Sequence, residues 1–335
     1  MPNAPITALV MHPVVRDELL RPDHLQRLKQ SCSLLSDAPF RDFEEIGNDL
    51  VKTEILITSW GCPRIETALV ESMPRLRLIA HLAGTVKGFI DEAVWKRRIN
   101  IINAVPANAV PVAEYTLAAI LFANKRVFQL QNFYHLHHEN HAPWTVEAPN
   151  VGNYNKTIGI VGASQVGRCI MKLLMPFDFR VLLYDPYITP LEARQCGAQK
   201  TGLGELLSQS DVVSLHAPLL PDTRHMIGAR ELQLMRDHAT LINTARGALV
   251  DQEALIAELK TQRINAVLDT TEPDVLAPES PLYRMSNVFL TPHIAGSLGT
   301  ETQRLADYIV EEVERFTRGQ PLNRTIKLEE LSRLA

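Results

Sequence analysis

Short apolar, β-branched runs alternate with stretches of helical periodicity along almost the whole chain. Such alternation argues for parallel sheets joined by crossover helices. In the first hundred residues the predicted strands are Ala8–Met11, Leu34–Leu35, Ile55–Thr58, Leu78–Ala80 and Ile101–Asn103. Helical patterns fall between them, as at Arg64–Ser72 and Ile90–Arg97. Pro106 and Pro111 bracket a predicted turn, and a long apolar helix is expected from Pro111 to Leu130. Its stripe is expected to serve core or subunit contact rather than a cofactor. The segment Asn132 to Asn155 reads as a long excursion with little periodicity. Further strands are predicted at Ile158–Val161, Val181–Tyr184, Val212–Leu215, Thr240–Asn243, Asn265–Asp269 and Val288–Leu290. Helices are expected at Ser164–Met175, Leu203–Gln209 and Gln252–Thr261, and a closing helix at Gly299–Thr317. No internal repeat or low-complexity segment interrupts this order.

The most specific local pattern is Thr157-Ile-Gly-Ile-Val-Gly-Ala-Ser-Gln-Val-Gly167, with Asp185 eighteen residues further on. A strand, a glycine turn, a helix, a second strand and an acid are the layout of a dinucleotide-binding unit. Gly162 permits the tight turn, and Gly167 lets the helix pack close to the strand. The opening helix directs unpaired N–H groups and its positive end at a pyrophosphate. Asp185 accepts hydrogen bonds from a ribose diol and repels a 2′-phosphate, so the pattern predicts NAD rather than NADP. The middle glycine position holds Ser164, whose hydroxyl is small enough to reach a phosphate oxygen.

Four segments lie where predicted strands end, the edge at which open α/β sheets place ligands. They are Leu215-His-Ala-Pro218, Asn243-Thr-Ala-Arg-Gly247, Leu268-Asp-Thr-Thr-Glu-Pro-Asp274 and Leu290-Thr-Pro-His293. An arginine, several carboxylates and a histidine thereby meet on one edge of one sheet. Their chemistry suits reduction of a carbonyl beside a carboxylate. A guanidinium grips the carboxylate and polarises the carbonyl, and an imidazolium held by a neighbouring carboxylate gives the oxygen its proton.

Size and composition narrow the class. The 335 residues are enough for two domains, and 46% apolar with 21% charged residues describes a globular chain. The net charge of −4 gives no sign of a nucleic-acid or membrane surface. No apolar run is read as a membrane span, and Met1-Pro-Asn-Ala-Pro5 has no secretory pattern. Cys32, Cys62, Cys169 and Cys196 lack CxxC spacing and are read as reduced thiols of a cytoplasmic protein. His135, His137, His138 and His141 sit close together, yet no glutamate makes an HExxH pattern, so no metal is expected.

Taken together, these motifs resemble the D-isomer-specific 2-hydroxyacid dehydrogenase family over nearly the whole chain. The resemblance rests on Gly159–Gly167, Asp211-Val-Val-Ser-Leu-His-Ala-Pro-Leu219 and Leu241-Ile-Asn-Thr-Ala-Arg-Gly-Ala-Leu-Val-Asp251. It continues through Leu268-Asp269 and Thr291-Pro-His-Ile-Ala-Gly296, with Asn108-Ala-Val-Pro-Val-Ala-Glu114 opening the interdomain helix. It implies an α/β fold of two doubly wound, Rossmann-like parallel-sheet domains, with the cofactor domain inserted into the substrate domain. Residues 1–105 and 297–335 would form the substrate domain and 106–296 the NAD-binding domain, with closure bringing the Ala83–Lys87 loop over the nicotinamide.

The resemblance also implies roles. Arg246 matches the catalytic arginine that binds substrate, and His293 the proton donor and acceptor. The carboxylate paired with His293 falls by spacing on Asp274, where the family has a glutamate; Glu272 is the alternative. Cofactor contacts are expected from Gly162, Ser164, Gln165, Val166, Gly167, Asp185, His216, Ala217, Pro218, Thr223, Thr244, Ala245, Arg246, Asp269, His293 and Gly296. Substrate contacts are expected from Ala83, Gly84, Thr85, Arg246 and His293. Val86 and Gly88-Phe89 depart from the family's loop, and Lys87 is either a solvated residue or a contact for a second anionic group. A homodimer through the cofactor domain is expected, with no nucleic-acid or membrane partner.

The implied activity is reversible hydride transfer between NAD(H) and a D-2-hydroxy acid/2-oxo acid pair. An NAD-sensing corepressor of the same fold is the alternative. Formate oxidation is disfavoured because that activity pairs its histidine with a glutamine. Glyoxylate, hydroxypyruvate, 3-phosphohydroxypyruvate and larger oxo acids all remain open as substrates.

Overall fold

The computed structural model describes residues 4–138 and 150–333. The chain divides into two compact units, Met1–Asn108 with Ser297–Ala335, and Ala109–Gly296. The second unit is thus an insertion in the first.

The first unit is built on β1 (Ile6–Val10), β2 (Ser33–Leu34), β3 (Ile55–Thr58), β4 (Leu78–His81) and β5 (Asn100–Asn103), in the order β2-β1-β3-β4-β5. Every pairing is parallel. Side chains alternate between two covered faces, which is why these strands read as unbroken apolar runs. Leu9, Ile55, Ile57, Leu78, Ala80 and Ile102 pack on one side with Leu28, Leu305, Ile309 and Val313. Ala8, Val10, Leu56, Ile79 and Ile101 face the other side with Ile46, Val70 and Val94. The helices Pro13–Leu19 and Pro22–Ser31 each begin at a proline, where the missing N–H costs nothing. Arg27 ties Pro22–Ser31 to the closing helix Thr302–Thr317 through both oxygens of Glu314, at 2.9 and 3.3 Å.

The second unit holds β6 (Thr157–Val161), β7 (Arg180–Tyr184), β8 (Gln199–Lys200), β9 (Val212–Leu215), β10 (Thr240–Asn243), β11 (Asn265–Leu268) and β12 (Val288–Leu290). Their order is β12-β11-β10-β9-β6-β7-β8, again parallel throughout. The chain runs outward from β6 to β8, then returns to β9 on the opposite side of β6. That reversal opens a crevice at the C-terminal ends of β6 and β9.

Several elements differ from expectation. The turn expected between Pro106 and Pro111 is helix: Val105–Asn124 is continuous, with Pro106 in its first turn and Pro111 inside it. It breaks at Arg126, whose φ of 52° is left-handed, and Val127–His137 follows. The excursion expected from Asn132 therefore begins as helix, and residues 139–149, with His141, lie outside the described residues. The helix Val105–Asn124 is long and apolar enough to cross a membrane by length and composition, contrary to the sequence reading. Its Ala113, Ala119, Ile120 and Ala123 instead pack into the core of the second unit. Ile90–Arg97 is a 3-10 turn over Glu92–Arg97, and β8 carries no apolar run that would announce it. Among the described residues no group of His, Cys, Asp and Glu is placed to hold a metal.

Two buried histidines, His81 in the first unit and His216 in the second, are pushed far from their ordinary range. His81 Nδ1 meets Thr58 Oγ1 at 2.9 Å, and its ring lies 4.7 Å from that of Phe89. Burial pushes the His81 imidazole down to about 4 and that of His216 down to about 3. Both rings stay neutral in the folded protein above those values, whereas the unfolded chain takes up protons below about 6.5. The unfolded state thus binds more protons, and stability falls as pH drops from about 6.5 toward about 4. The slope reaches about 1.4 kcal/mol per pH unit for each ring. Melting temperatures recorded across that window should decline, and His81→Gln should flatten the decline. A His81→Gln curve parallel to the wild type would refute the linkage.

Candidate active site

The glycine turn after β6 is shaped by close approaches. Gly162 has φ 101°, and a Cβ there would lie 2.6 Å from the Ala217 nitrogen. A Cβ on Gly167 would lie 2.1 Å from the Gly162 carbonyl oxygen. Neither position accepts a side chain without moving backbone. Ser164 is the N-cap of the helix Gln165–Leu174, and its Oγ accepts the Gly167 N–H at 3.3 Å. Capping is what serine does well at this place, which accounts for the missing middle glycine. The first-turn N–H groups of Gln165 and Val166 have no carbonyl within the helix and face the end where an anion is stabilised.

Asp185 follows β7 and is half-buried. Its Oδ2 accepts the Ala163 N–H at 2.7 Å and its Oδ1 the Tyr187 N–H at 2.8 Å. A carboxylate has about four acceptor positions, so two remain for a diol. Across the crevice the end of β9 carries His216, Ala217 and Pro218. The His216 N–H donates to Val161 O at 2.7 Å, its Nε2 meets Ser214 Oγ at 2.9 Å, and its buried Nδ1 has no protein partner. Thr223 closes the following turn, donating to Pro218 O at 2.6 Å and accepting the Leu220 N–H at 2.8 Å. A glycine cradle, a capped helix start, a placed acid and a polar atom left unpaired fit a dinucleotide.

The chemical edge lies on the next three strands, β10, β11 and β12. Asn243 of β10 is level with Leu268 of β11, and Leu268 with Leu290 of β12. Parallel register therefore delivers Arg246, Asp269 and His293 within a few residues of one line. Thr244 is turned inward, its Oγ1 3.0 Å from Thr116 Oγ1, so only its backbone is available to a ligand. Asn243 shapes the loop by accepting the Ala245 N–H at 3.1 Å and donating to Arg246 O at 2.9 Å. The exposed Arg246 guanidinium donates to Ala245 O at 2.7 Å. Gly247 lets this loop rest on the next one, since a Cβ there would sit 2.1 Å from the Thr271 carbonyl.

Asp269 is buried, and its carboxylate is taken up by the loop beyond β12. It accepts the Ile294 N–H at 2.8 Å, the Ala295 N–H at 2.9 Å and the Thr291 hydroxyl at 2.7 Å. Since Thr291 spends its proton on Asp269, the Tyr115 hydroxyl 2.7 Å away is the donor to Thr291. These bonds hold His293 in a left-handed conformation, φ 56°. Its Nδ1 lies 3.3 Å from Asp274 Oδ2. Glu272 faces elsewhere, onto Arg224 at 2.6 Å and His225 Nε2 at 3.1 Å. The hydrogen bonds from His225 and Arg224 hold its carboxyl below the usual range. Between the two candidate acids, geometry favours Asp274.

Ala83, Gly84 and Thr85 lie on the first unit's own sheet edge, after β4. Ala83 O accepts the Ala104 N–H at 2.9 Å and Thr85 Oγ1 the Lys87 N–H at 3.1 Å. Val86 is fully buried in the core, which explains a branched side chain where the family has glycine. One strand over, Ser59 Oγ donates to Leu82 O at 2.8 Å, and Trp60 beside it is 49% exposed. Sequence reasoning passed over Tyr115, Trp60, Arg224 and His225. Trp60 follows β3 at a strand end and was visible there; the other three gave no signal.

A dinucleotide crevice beside an Arg, His and carboxylate edge defines an NAD-linked oxidoreductase. Residues 117–295 match the model of the D-isomer specific 2-hydroxyacid dehydrogenase, NAD binding domain, and the chain belongs to that family. It is 32% identical over 257 residues to the glyoxylate reductase of Korarchaeum cryptofilum (strain OPF8), covering 76% of this chain and 77% of that one. It is 30% identical over 281 residues to the D-3-phosphoglycerate dehydrogenase of Methanocaldococcus jannaschii, covering 83% of this chain but only 52% of that one. A phosphoglycerate oxidoreductase from Rhizobium etli shares the fold with a TM-score of 0.84 at 22% identity, over 98% of this chain and 100% of that one. The sensor alternative finds no support in these likenesses.

Asp185→Ala removes the carboxylate expected to accept from a ribose diol and frees two loop N–H groups. NADH binding followed by fluorescence should weaken, and the preference for NADH over NADPH in kcat/KM should narrow. An unchanged preference would refute the ribose assignment.

Proposed function

We propose that the protein reduces a 2-oxo acid to the D-2-hydroxy acid, reversibly, with Arg246, His293 and Asp274 as its machinery. The observation that carries this reading is the His293–Asp274 contact on the strand ends next to Arg246. NADH, when bound, supplies the hydride that the carbonyl carbon accepts. Gly162, Ser164, Gln165, Val166, Gly167 and Asp185 would hold it, with backbone at His216–Pro218 and Thr244–Ala245 completing the wall.

Arg246 grips the substrate carboxylate and draws charge from the adjacent carbonyl. Asp274 only accepts, so His293 Nδ1 carries the proton shared with it, and Nε2 is left to protonate the developing alkoxide. Asp274 stabilises the imidazolium before transfer and fixes the ring plane. In the oxidative direction the same nitrogen takes the alcohol proton. Asp269 acts beneath them as the anchor of the His293 loop. Gly296 ends that loop. On the first unit, the backbone at Ala83, Gly84 and Thr85 would meet the substrate carboxylate.

Exposed Phe122, Tyr134 and Leu136 on consecutive helices of the second unit support a homodimer through that unit. Four free cysteines support a cytoplasmic setting.

NADH oxidation with a panel of 2-oxo acids tests the activity. On the best of them His293→Ala should lower kcat by about a hundredfold to ten-thousandfold. Near-normal turnover would sink the proton-donor role, and tight NADH binding with no turnover on any oxo acid would favour a sensor.

A further inference from the structure

Asp274 is 65% exposed, and His293, at 3.3 Å, is the one hydrogen-bond partner of its side chain among the described residues. Nothing at the carboxylate itself holds it there, so its aim is set by the backbone that presents it. That backbone is tied down two residues earlier. Glu272 Oε1 accepts from Arg224 Nη2 at 2.6 Å, Oε2 meets His225 Nε2 at 3.1 Å, and the Glu272 N–H donates to Gln252 Oε1 at 3.1 Å. The Thr271 hydroxyl then closes the turn on Pro273 O at 2.7 Å and Asp274 O at 3.1 Å.

The two partners of Glu272 are themselves referenced to the arginine loop. The His225 N–H donates to Ala248 O at 2.8 Å and the Ile227 N–H to Leu249 O at 3.1 Å. Ala248 and Leu249 lie just beyond Arg246, and Gly247 touches Thr271. Glu272 thus closes a ring that runs from the Arg246 loop through Arg224–His225 to the Asp274 turn. We propose that Glu272 is a positioning residue: its clamp on Arg224 and His225 sets Asp274 against His293. This rests on the proposed His293–Asp274 pair and assigns Glu272 a role distinct from membership of it.

The physical consequence is specific. Releasing the clamp lets an exposed aspartate swing into solvent, and the imidazolium loses its stabilising neighbour. The charged groups around the pair are Asp274 on His293, Arg246 on the adjacent strand end, and Asp269 beneath. Those facing Glu272 are Arg224 and His225.

The test compares the full chain with Glu272→Gln, Asp274→Asn and the double variant, on the best oxo acid of the panel. Glu272→Gln should lower kcat about tenfold or more, leave NADH affinity within about twofold, and move the alkaline fall of the reduction profile to lower pH, as Asp274→Asn does. On the Asp274→Asn background Glu272→Gln should cost nothing further. Additive losses in the double variant, or a wild-type profile for Glu272→Gln beside an impaired Asp274→Asn, overturn the clamp. Normal turnover of Asp274→Asn overturns the catalytic pair instead. Should Glu272→Gln fold poorly, Arg224→Gln breaks the same clamp from its other end and must show the same pH shift; an unmoved profile overturns the proposal.

Discussion

A buried carboxylate organises the chemical edge of this protein. Taking Asp269 out of water is costly unless its oxygens are fully bonded. Two backbone N–H groups and one hydroxyl meet that demand, and all three come from the loop after β12. The loop cannot relax without leaving the charge unsatisfied. His293 therefore keeps a left-handed backbone that a histidine adopts only under constraint. The Asp274 turn continues from the same strand as Asp269, and Arg246 from the next strand over. Arg246, Asp269 and His293 thus inherit their spacing from sheet register, and Asp274 takes its aim from its own turn.

The same logic separates the histidines by task. His81 and His216 are buried, bonded to a threonine and a serine hydroxyl, and kept neutral by the cost of charging them there. Neither can trade protons near neutral pH. His293 is half exposed and faces a carboxylate, the arrangement a proton donor needs. His225 is likewise exposed beside a carboxylate, so it is its place on the strand ends next to Arg246 that sets His293 apart.

Much of the architecture was legible because both sheets are parallel and covered on two faces. Val212–Leu215 and Thr240–Asn243 are unmistakable runs for that reason, whereas the two polar residues of β8 are held only by one neighbouring strand. The helix through Pro106 and Pro111 was misread because proline forbids only certain helical positions, and its burial offsets the lost hydrogen bond. At the site, spacing found Arg246, His293 and the glycine turn. It favoured Asp274 and kept Glu272 as the alternative, because side-chain direction in an irregular segment depends on partners elsewhere. Those partners, Arg224 and His225, stand nearly fifty residues away. Thr244 shows the converse: its place in a motif suggested a ligand contact, while its hydroxyl is spent on the helix behind it.

The departures from the family pattern follow from substitution of roles. Ser164 replaces a glycine yet caps the helix whose start it occupies, so the turn is retained with one more donor satisfied. Val86 replaces a glycine by filling the core below its loop. Asp274 is one methylene shorter than the usual glutamate, which removes a rotatable bond and with it the freedom to search for the imidazole. A shorter acid must be delivered by its backbone. The dense bonding of Thr271–Asp274, from the threonine hydroxyl to the Gly247 contact, is what such a delivery requires. The short acid and its bonded turn act together, and the exposed Asp274 carboxylate is held in place from behind.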